Sequence, residues 1–595
     1  MADFRRVVTA LAVVVLFVGL VSTANAQPTG PAFGCTAQAA VPPLLRAEGL
    51  TELTGDVVLN CTGGVAIAAG AAIPTANFAV FLGNTQVTSR IYDSGGTSEA
   101  LLLVDEPTTT INPSATFIFA PSALTGCAGA TGGCVQGSAT LPNVYRGIVS
   151  GNSVTFIGVP VAPPGSTGTR IYRITNVRAN ASTIGAGPGG TPGQVQAFVS
   201  VSGSTSVPIT NPTQIVGFVQ NGLAFSLRKV DDSDALSGSG VSKAQCNDLS
   251  KGWIARARYA ENFATAFKTQ IRTDVLQNIP GAIYNTESGL VISDGTNYNN
   301  TGKADSGTRL RATFNNIPAG TTIYVSTTNV VGGTVAAPTA GVSPYAVLIA
   351  SETAGNVAPN QPFTVSSTTT ITIPAFTLVP VNGTAVAVWE VTAASDLSKD
   401  NYDFLIGASW TGNAAGNSPA AGVQGTVSGS FAPAPPAISA TDGAKASTSL
   451  PIPRFIDSGS AKNLIIANIC RTNLLFPFVT NQAGFDTGLA IANTTTDIYG
   501  TTPQTGNCVL NFFGANAPAA STPTSIASGT VQTWLASSAA PNFQGYVIAQ
   551  CNFQYGHGFA FVSDVGARNL AMGYLALVLD EPGNYRGDTG ESLGQ

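Results

Sequence analysis

Formal charge is scarce in this chain. Only 26 Lys or Arg and 31 Asp or Glu occur in 595 residues, 10% of the total, where an ordinary soluble domain carries about 25%. So small a basic complement, within a net charge of −5, excludes a nucleic-acid binder, whose affinity rests on a Lys/Arg footprint. Histidine is scarcer still. His557 is the one imidazole, so a Ser-His-Asp triad, a Cys-His pair or a His-rich metal site would have to use it. Its surroundings, Gln554-Tyr-Gly-His-Gly-Phe-Ala-Phe561, read as an apolar strand, and a hydrogen-bonded structural histidine is expected there. No Cys-x-x-Cys, no His-Glu-x-x-His and no Gly-Lys-Ser/Thr phosphate loop occurs, which removes the common redox, zinc-protease and nucleotide motifs. Past residue 26 no run approaches the roughly 18 apolar residues of a membrane-spanning helix; Ala571 to Leu579 is only strand-length.

What is present is apolar and small polar. Hydrophobic residues make up 44% of the chain, with 66 Gly and 36 Pro, enough to build cores and too little Gly and Pro for a low-complexity chain. Arg5 and Arg6 precede an apolar run from Val7 to Val21, and Ala24-Asn25-Ala26 supplies small residues. That is the pattern of a secretory signal peptide over 1–26, with cleavage before Gln27. Eight cysteines follow: Cys35, Cys61, Cys127, Cys134, Cys246, Cys470, Cys508 and Cys551. An even count in an exported chain reads as disulfides. Cys35–Cys61 and Cys127–Cys134 are the natural local pairs, and Cys508–Cys551 with Cys246–Cys470 is the preferred completion.

Period-2 alternation dominates. Tyr402, Phe404, Ile406, Ala408 and Trp410 occupy every second position, as do Leu310, Ala312 and Phe314. Thr369 to Leu378 and Thr384 to Val391 read the same way. Such short runs, separated by Gly, Pro, Asn and Ser clusters, predict an all-β chain of several tandem β-sandwich domains, immunoglobulin-like or jelly-roll-like, stapled by disulfides. Tyr259, Phe263, Phe267, Ile271 and Val275 recur every four residues. This fits a helix over 253–276 and equally one face of a strand. Ser237 to Ser242 and Ala432 to Pro436 read as linkers, dividing the mature chain into 27–240, a region with room for two sheets or subdomains, 241–440 with the helix candidate, and 441–595.

Two motifs fail on context. Gly185-Ala-Gly187-Pro-Gly-Gly190 spells a dinucleotide fingerprint, but a strand-like stretch rather than a helix follows it. Gly590-Glu-Ser-Leu-Gly594 spells a nucleophile elbow with no room for the helix that must follow. Carboxylate chemistry needs only two acids at the right separation. Glu48, Glu52, Asp105, Glu106, Glu390, Asp486, Asp580 and Glu581 are the candidates, and nothing in their spacing pairs them. Asp231, Asp232 and Asp234 offer oxygen ligands for calcium without EF-hand spacing. Trp253, Trp389, Trp410 and Trp534 are the tryptophans. Trp410 lies on an alternating apolar face, so Trp534 is the candidate ligand platform.

Two blocks carry a resemblance. One runs from Arg46 through Cys61 to Gly64, with Val87-Thr-Ser-Arg90 and Ser98 to Pro107. The other runs from Asn473 to Gly488 and continues at Cys551 to Phe561. Together they resemble large secreted proteins encoded by soil bacteria, a group without an assigned function. The resemblance implies an exported, cell-surface setting and transfers no active site. The sequence thus predicts a non-catalytic, extracellular or cell-surface structural protein, a layer, filament or matrix subunit, with a glycan- or surface-polymer-binding protein as the alternative. No cofactor, no metal and no nucleic acid are expected. Its partners are copies of itself or a surface polymer, with no integral membrane segment once the signal is removed.

Overall fold

The computed structural model describes residues 31–579 except 69, 106–142, 188–189, 204–205, 246–248, 275–278, 293–299, 333–337, 354–362, 367–371, 412–421, 469, 502, 565 and 567. Among the described residues the chain is nearly all β. Its helical content there is a four-residue helix, Ala536–Ala539, and two 3-10 turns, Ala181–Thr183 and Ala282–Asn285.

The N-terminal part is an 11-stranded sheet rolled around a single core. Its order is Ile209–Thr210, Gly34–Ala39, Val57–Gly63, Gly165–Thr175, Thr97–Val104, Val144–Ser150, Ser153–Pro160, Thr75–Leu82, Gly193–Gly203, Thr213–Gln220 and Leu44–Arg46. Alternating β-branched and aromatic residues explain why these stretches pleat: Phe78, Val80 and Leu82 point inward from one strand, Leu59 and Cys61 from another. Cys35 lies directly opposite Cys61 in the register of neighbouring strands, and the two are bonded. The strand Thr97–Val104 is buried on both faces. Ala100 and Leu102 enter the main core, whereas Leu101 and Leu103 pack with Leu290 and Ile292 from the middle of the chain.

The middle part is a sandwich of two six-stranded sheets. One orders Leu223–Arg228, Leu249–Glu261, Asn401–Trp410, Thr322–Ser326, Thr372–Leu378 and Phe363–Ser366. The other orders Val241–Ala244, Lys462–Asn468, Gln424–Ala432, Arg309–Asn315, Ala385–Ala393 and Tyr345–Ile349. Tyr259, Phe314, Trp389, Phe404 and Phe431 fill the space between them. Sheet membership crosses the divisions expected near 240 and 440. Leu223–Arg228 pairs with Leu249–Glu261, and Val241–Ala244, overlapping the end of the expected linker, runs parallel to Lys462–Asn468.

The helix candidate over 253–276 is corrected, over its described residues 253–274, to a strand and a turn region. Leu249–Glu261 is extended, with Ala255, Ala257 and Tyr259 facing the core. Positions i and i+4 share a strand face as well as a helix face, and period two decides here. The chain then turns, leaving Phe263 and Phe267 in the core while Ile271 is exposed.

The C-terminal part is a smaller sandwich whose strands, among the described residues, pair only with one another. A five-stranded sheet orders Thr524–Ile526, Gly506–Ala515, Gln544–Cys551, Thr472–Thr480 and Leu577–Leu579. A four-stranded sheet orders Val531–Leu535, Asp486–Asn493, Gly556–Ser563 and Ala571–Leu575. Cys508 and Cys551 face each other on adjacent strands and are bonded. Cys470 is also disulfide-bonded, while Cys127, Cys134 and Cys246 lie outside the described residues.

Candidate functional site

A third of the scarce charges lie inside the fold. Nineteen charged residues are buried among those described, although Lys, Arg, Asp and Glu rarely bury unless paired. The densest cluster joins the N-terminal sheet to the middle sandwich. Arg46, ending the strand Leu44–Arg46, reaches Glu52 and Glu287, each at 2.7 Å. It also donates to the Ala266 carbonyl (3.1 Å) and to Thr308 Oγ1 (3.0 Å), and its guanidinium lies 4.7 Å from the centre of the Phe455 ring. Burial alone would lower the Arg46 pKa, but Glu287 and Glu52 outweigh it and hold the pKa above the ordinary value. Burial pushes the Glu287 carboxyl up, and Arg46 and Lys268 pull it below the usual range. Lys268, fully buried nearby, has its pKa lowered by desolvation. Arg178 adds a second bridge, donating to Glu99 (2.9 Å) and to the Glu287 carbonyl (2.8 Å). The Tyr284 hydroxyl accepts from the Asp56 backbone N–H at 2.7 Å, while Asp56 pairs with Arg173 at 2.5 Å.

These contacts dispose of most candidate acids. Glu48 accepts from the Gly222 N–H at 2.9 Å, Glu52 belongs to Arg46, and Asp105 pairs with Arg170. Glu390 holds Arg309 at 2.8 Å, and Asp486 accepts from the Ser537 hydroxyl at 2.5 Å. Glu106, Asp580, Glu581 and the Gly590–Gly594 motif lie outside the described residues. Each described acid is thus engaged by a guanidinium, a hydroxyl or a backbone N–H. The aspartates considered for calcium diverge. Asp231 closes a turn onto Ser233, Asp232 pairs with Arg228 and Arg258, and Asp234 is exposed beside Lys229. His557 departs from the expected hydrogen-bonded structural role. It sits on the solvent face of Gly556–Ser563 opposite Ala492, because strand alternation puts Gly556, Gly558 and Ala560 inward. Cys551 is bonded to Cys508 and is no thiolate partner for it. The glycine loop around Gly185 leads into the strand Gly193–Gly203, so no helix N-terminus is there to receive a pyrophosphate.

Trp253, Trp389 and Trp410 are buried, and the Trp389 indole N–H donates to the Ser326 carbonyl at 2.9 Å. Trp534 is half-buried and lines a groove of about 640 Å³ with Thr533, Ser538, Phe559 and Phe561. The small Gly488 and Ala490 on the neighbouring strand leave this groove open, and Phe559 and Phe561 are exposed on the sheet face.

Two polar clefts were not evident from sequence. One, of about 420 Å³, has Glu48, Asn221, Phe225 and Ser458 in its wall. The other, of about 440 Å³, is bounded by Arg90, Tyr92, Gln270, Asn300, Lys303, Asp305 and Thr448. Its residues come from four distant stretches, so no spacing could reveal it. The Val87–Arg90 segment, part of the resemblance, was the only signal.

No family model and no curated protein matches the chain. Solved structures overlap it loosely. The C-terminal domain of the Streptococcus agalactiae AgI/II polypeptide BspA is 11% identical, with 67% of this chain and 95% of that one covered, at a TM-score of 0.23. The Bacillus cereus major pilin subunit BcpA is 8% identical, covering 72% and 89%, at 0.18. The Corynebacterium diphtheriae major pilin SpaA is 8% identical, covering 85% and 93%, at 0.19. Overlaps this loose transfer no residue and no activity to this chain.

Proposed function

We propose that the chain is an exported, non-catalytic structural protein of the cell surface or extracellular matrix, acting as a subunit of a layer, filament or matrix. The observation that carries this reading is the placement of charge. With a third of an already small set of ionic groups buried, the outer surface is more nearly neutral than composition alone implies. Charge repulsion keeps ordinary proteins apart, and a surface with so little of it tolerates dense packing against copies of itself. The internal ionic contacts also tie the N-terminal sheet to the middle sandwich, which suits a subunit that must keep its shape within an assembly.

Electron microscopy and sedimentation of oxidised residues 27–595 test the reading. Ordered sheets or filaments are expected, and discrete monomers at high concentration would overturn it. A second reading, a glycan- or surface-polymer-binding protein, is favoured by the Trp534 groove. A glycan screen with no hit, and no loss on Trp534→Ala, removes that one.

A further inference from the structure

We propose that the cleft bounded by Arg90, Tyr92, Gln270, Asn300, Lys303 and Thr448 binds an acidic saccharide, a sugar unit carrying a carboxylate. The inference goes beyond the structural reading and does not depend on assembly.

Electrostatics gives the first reason. Arg90 pairs with Asp305 at 2.6 Å, and no carboxylate lies within ion-pair distance of Lys303 among the described residues. Beneath the cleft, Arg454 is buried and donates only to carbonyls, those of Gly443 (2.6 Å), Pro451 (3.1 Å) and Lys445 (2.5 Å). It has no carboxylate partner among the described residues. Its segment is fastened to the cleft wall, because the Ile452 N–H donates to Asp305 and the Asp305 N–H to the Ile452 carbonyl. Arg178 is the next cation, and Glu99 neutralises it at 2.9 Å. The ionic groups acting on Arg454 are thus Arg178 and Arg90 against Glu99 and Asp305, which pair with each other and leave Arg454 and the rim's Lys303 without a carboxylate among the described residues. The positive charges Arg90 and Arg178 also contribute to lowering the Arg454 pKa, after burial itself. An uncompensated cationic cluster under a concave surface draws anions.

The lining gives the second reason. A bare anion needs only cations, whereas this rim also carries amides, a hydroxyl and a ring. The Gln270 side-chain NH₂ donates to the Ala304 and Asp305 carbonyls, so its Oε1 points its acceptor capacity elsewhere. Asn300 and Thr448 are exposed at the rim. The Arg90 backbone N–H donates to Glu99 at 2.9 Å, and its guanidinium bonds Asp305 through Nη2, which leaves the rest of the fork for a carboxylate. About 440 Å³ lies in the usual range for small-ligand sites.

The test is titration calorimetry of oxidised residues 27–595 with trigalacturonate, with maltotriose and inorganic phosphate as comparators. Trigalacturonate is expected to bind, with maltotriose at least about tenfold weaker, as the loss of a charge-assisted contact implies. Lys303→Glu should weaken trigalacturonate by about tenfold or more, with an unchanged unfolding midpoint because Lys303 makes no ion pair among the described residues. Thr448→Ala should weaken it measurably. Absence of binding, equal binding of maltotriose, or indifference to Lys303→Glu would each overturn the proposal. So would phosphate binding as tightly as trigalacturonate together with an inert Thr448→Ala, which marks a plain anion site. Sedimentation of the same samples reports assembly separately, so a failure of binding is distinct from a failure of the structural reading.

Discussion

Replacing Arg46 by methionine should uncouple the N-terminal sheet from the middle sandwich. Methionine keeps an apolar stem, but it removes the guanidinium that lies over the Phe431 and Phe455 rings and strands Glu52 and Glu287 in a buried site. Removing one member of a buried ion pair costs about 3–5 kcal/mol, since the remaining charge is left uncompensated. Here Lys268 lies close enough to act on both carboxylates, which places the expected loss at the lower end, about 3 kcal/mol. Urea unfolding followed two ways reads the coupling. All four tryptophans, Trp253, Trp389, Trp410 and Trp534, lie beyond the N-terminal sheet, so fluorescence ignores that sheet while far-UV circular dichroism includes it. In the wild type the N-terminal and middle parts should unfold together, and in Arg46→Met a separate, earlier dichroism transition should appear. The effect should also depend on pH. The Glu287 pKa is lowered in the folded wild type, so its stabilisation is complete above the usual glutamate range and is lost as pH falls. In the variant that stabilisation is absent at every pH, and the gap to wild type should narrow on acidification. A loss below about 1 kcal/mol, with coincident transitions and a pH-independent gap, would refute the reasoning.

Three further predictions rest on single features. The Glu261 carboxylate accepts from the Phe267 and Asp400 N–H groups at 2.6 and 2.8 Å, yet burial pushes its pKa up to about 8. A raised folded pKa means the fold favours the protonated acid, so wild-type stability should fall between pH 5 and about 8, and less so in Glu261→Gln. The disulfides close separations of 26 and 43 residues. Loop-closure entropy then puts the cost of the Cys35/Cys61 and Cys508/Cys551 double alanine variants near 3.5 and 4 kcal/mol, about what denaturant midpoints should report. Gly429 underlies the Phe225 ring, with an added Cβ only 2.0 Å from Phe225 Cδ2. Gly429→Ala should cost about 1–3 kcal/mol by overpacking, and Phe225→Leu in the same chain should recover part of it.

The strands were legible because their signal is local. Tyr402 to Trp410 and Leu310 to Phe314 alternate within one segment, and both are strands of the middle sandwich. Tyr259 to Val275 was ambiguous because a four-residue repeat satisfies either geometry, and only Ala255 and Ala257, too small to stand out, carry the period-two answer. The divisions near 240 and 440 were read from Ser, Gly and Pro content, which marks turns well. Composition cannot show that Val241–Ala244 will pair with Lys462–Asn468, far along the chain. The ionic interior was wholly illegible. Arg46 and Glu287 are 241 positions apart, and nothing near either one distinguishes a buried ion from a solvated one. For the same reason the candidate acids looked free: Glu390 and Asp105 acquire their arginines only across strands.

Why a chain this poor in charge buries so much of it has a testable answer. A buried ion pair is weak evidence of stability, and an apolar set of similar volume often matches or exceeds it. What charged hydrogen bonds supply is direction. Arg46 satisfies Glu52 on its own side of the interface and Glu287 on the other at once, and only one relative placement of the two parts allows that. An apolar contact such as Leu53 against Ile283 and Tyr284 tolerates sliding. Lys268 is buried and acted on by the same two carboxylates, so it must be replaced with them, because a buried charge left unpaired is itself strongly destabilising. Replacing Arg46, Glu52, Glu287 and Lys268 together by Met, Leu, Leu and Met should therefore hold stability to within about 1–2 kcal/mol, or raise it. The same quadruple variant should broaden the small-angle scattering envelope and weaken ordered assembly. Unchanged scattering and assembly in a stable quadruple variant would show that the ions do not set the geometry, and the interface would then have to be explained by its apolar contacts alone.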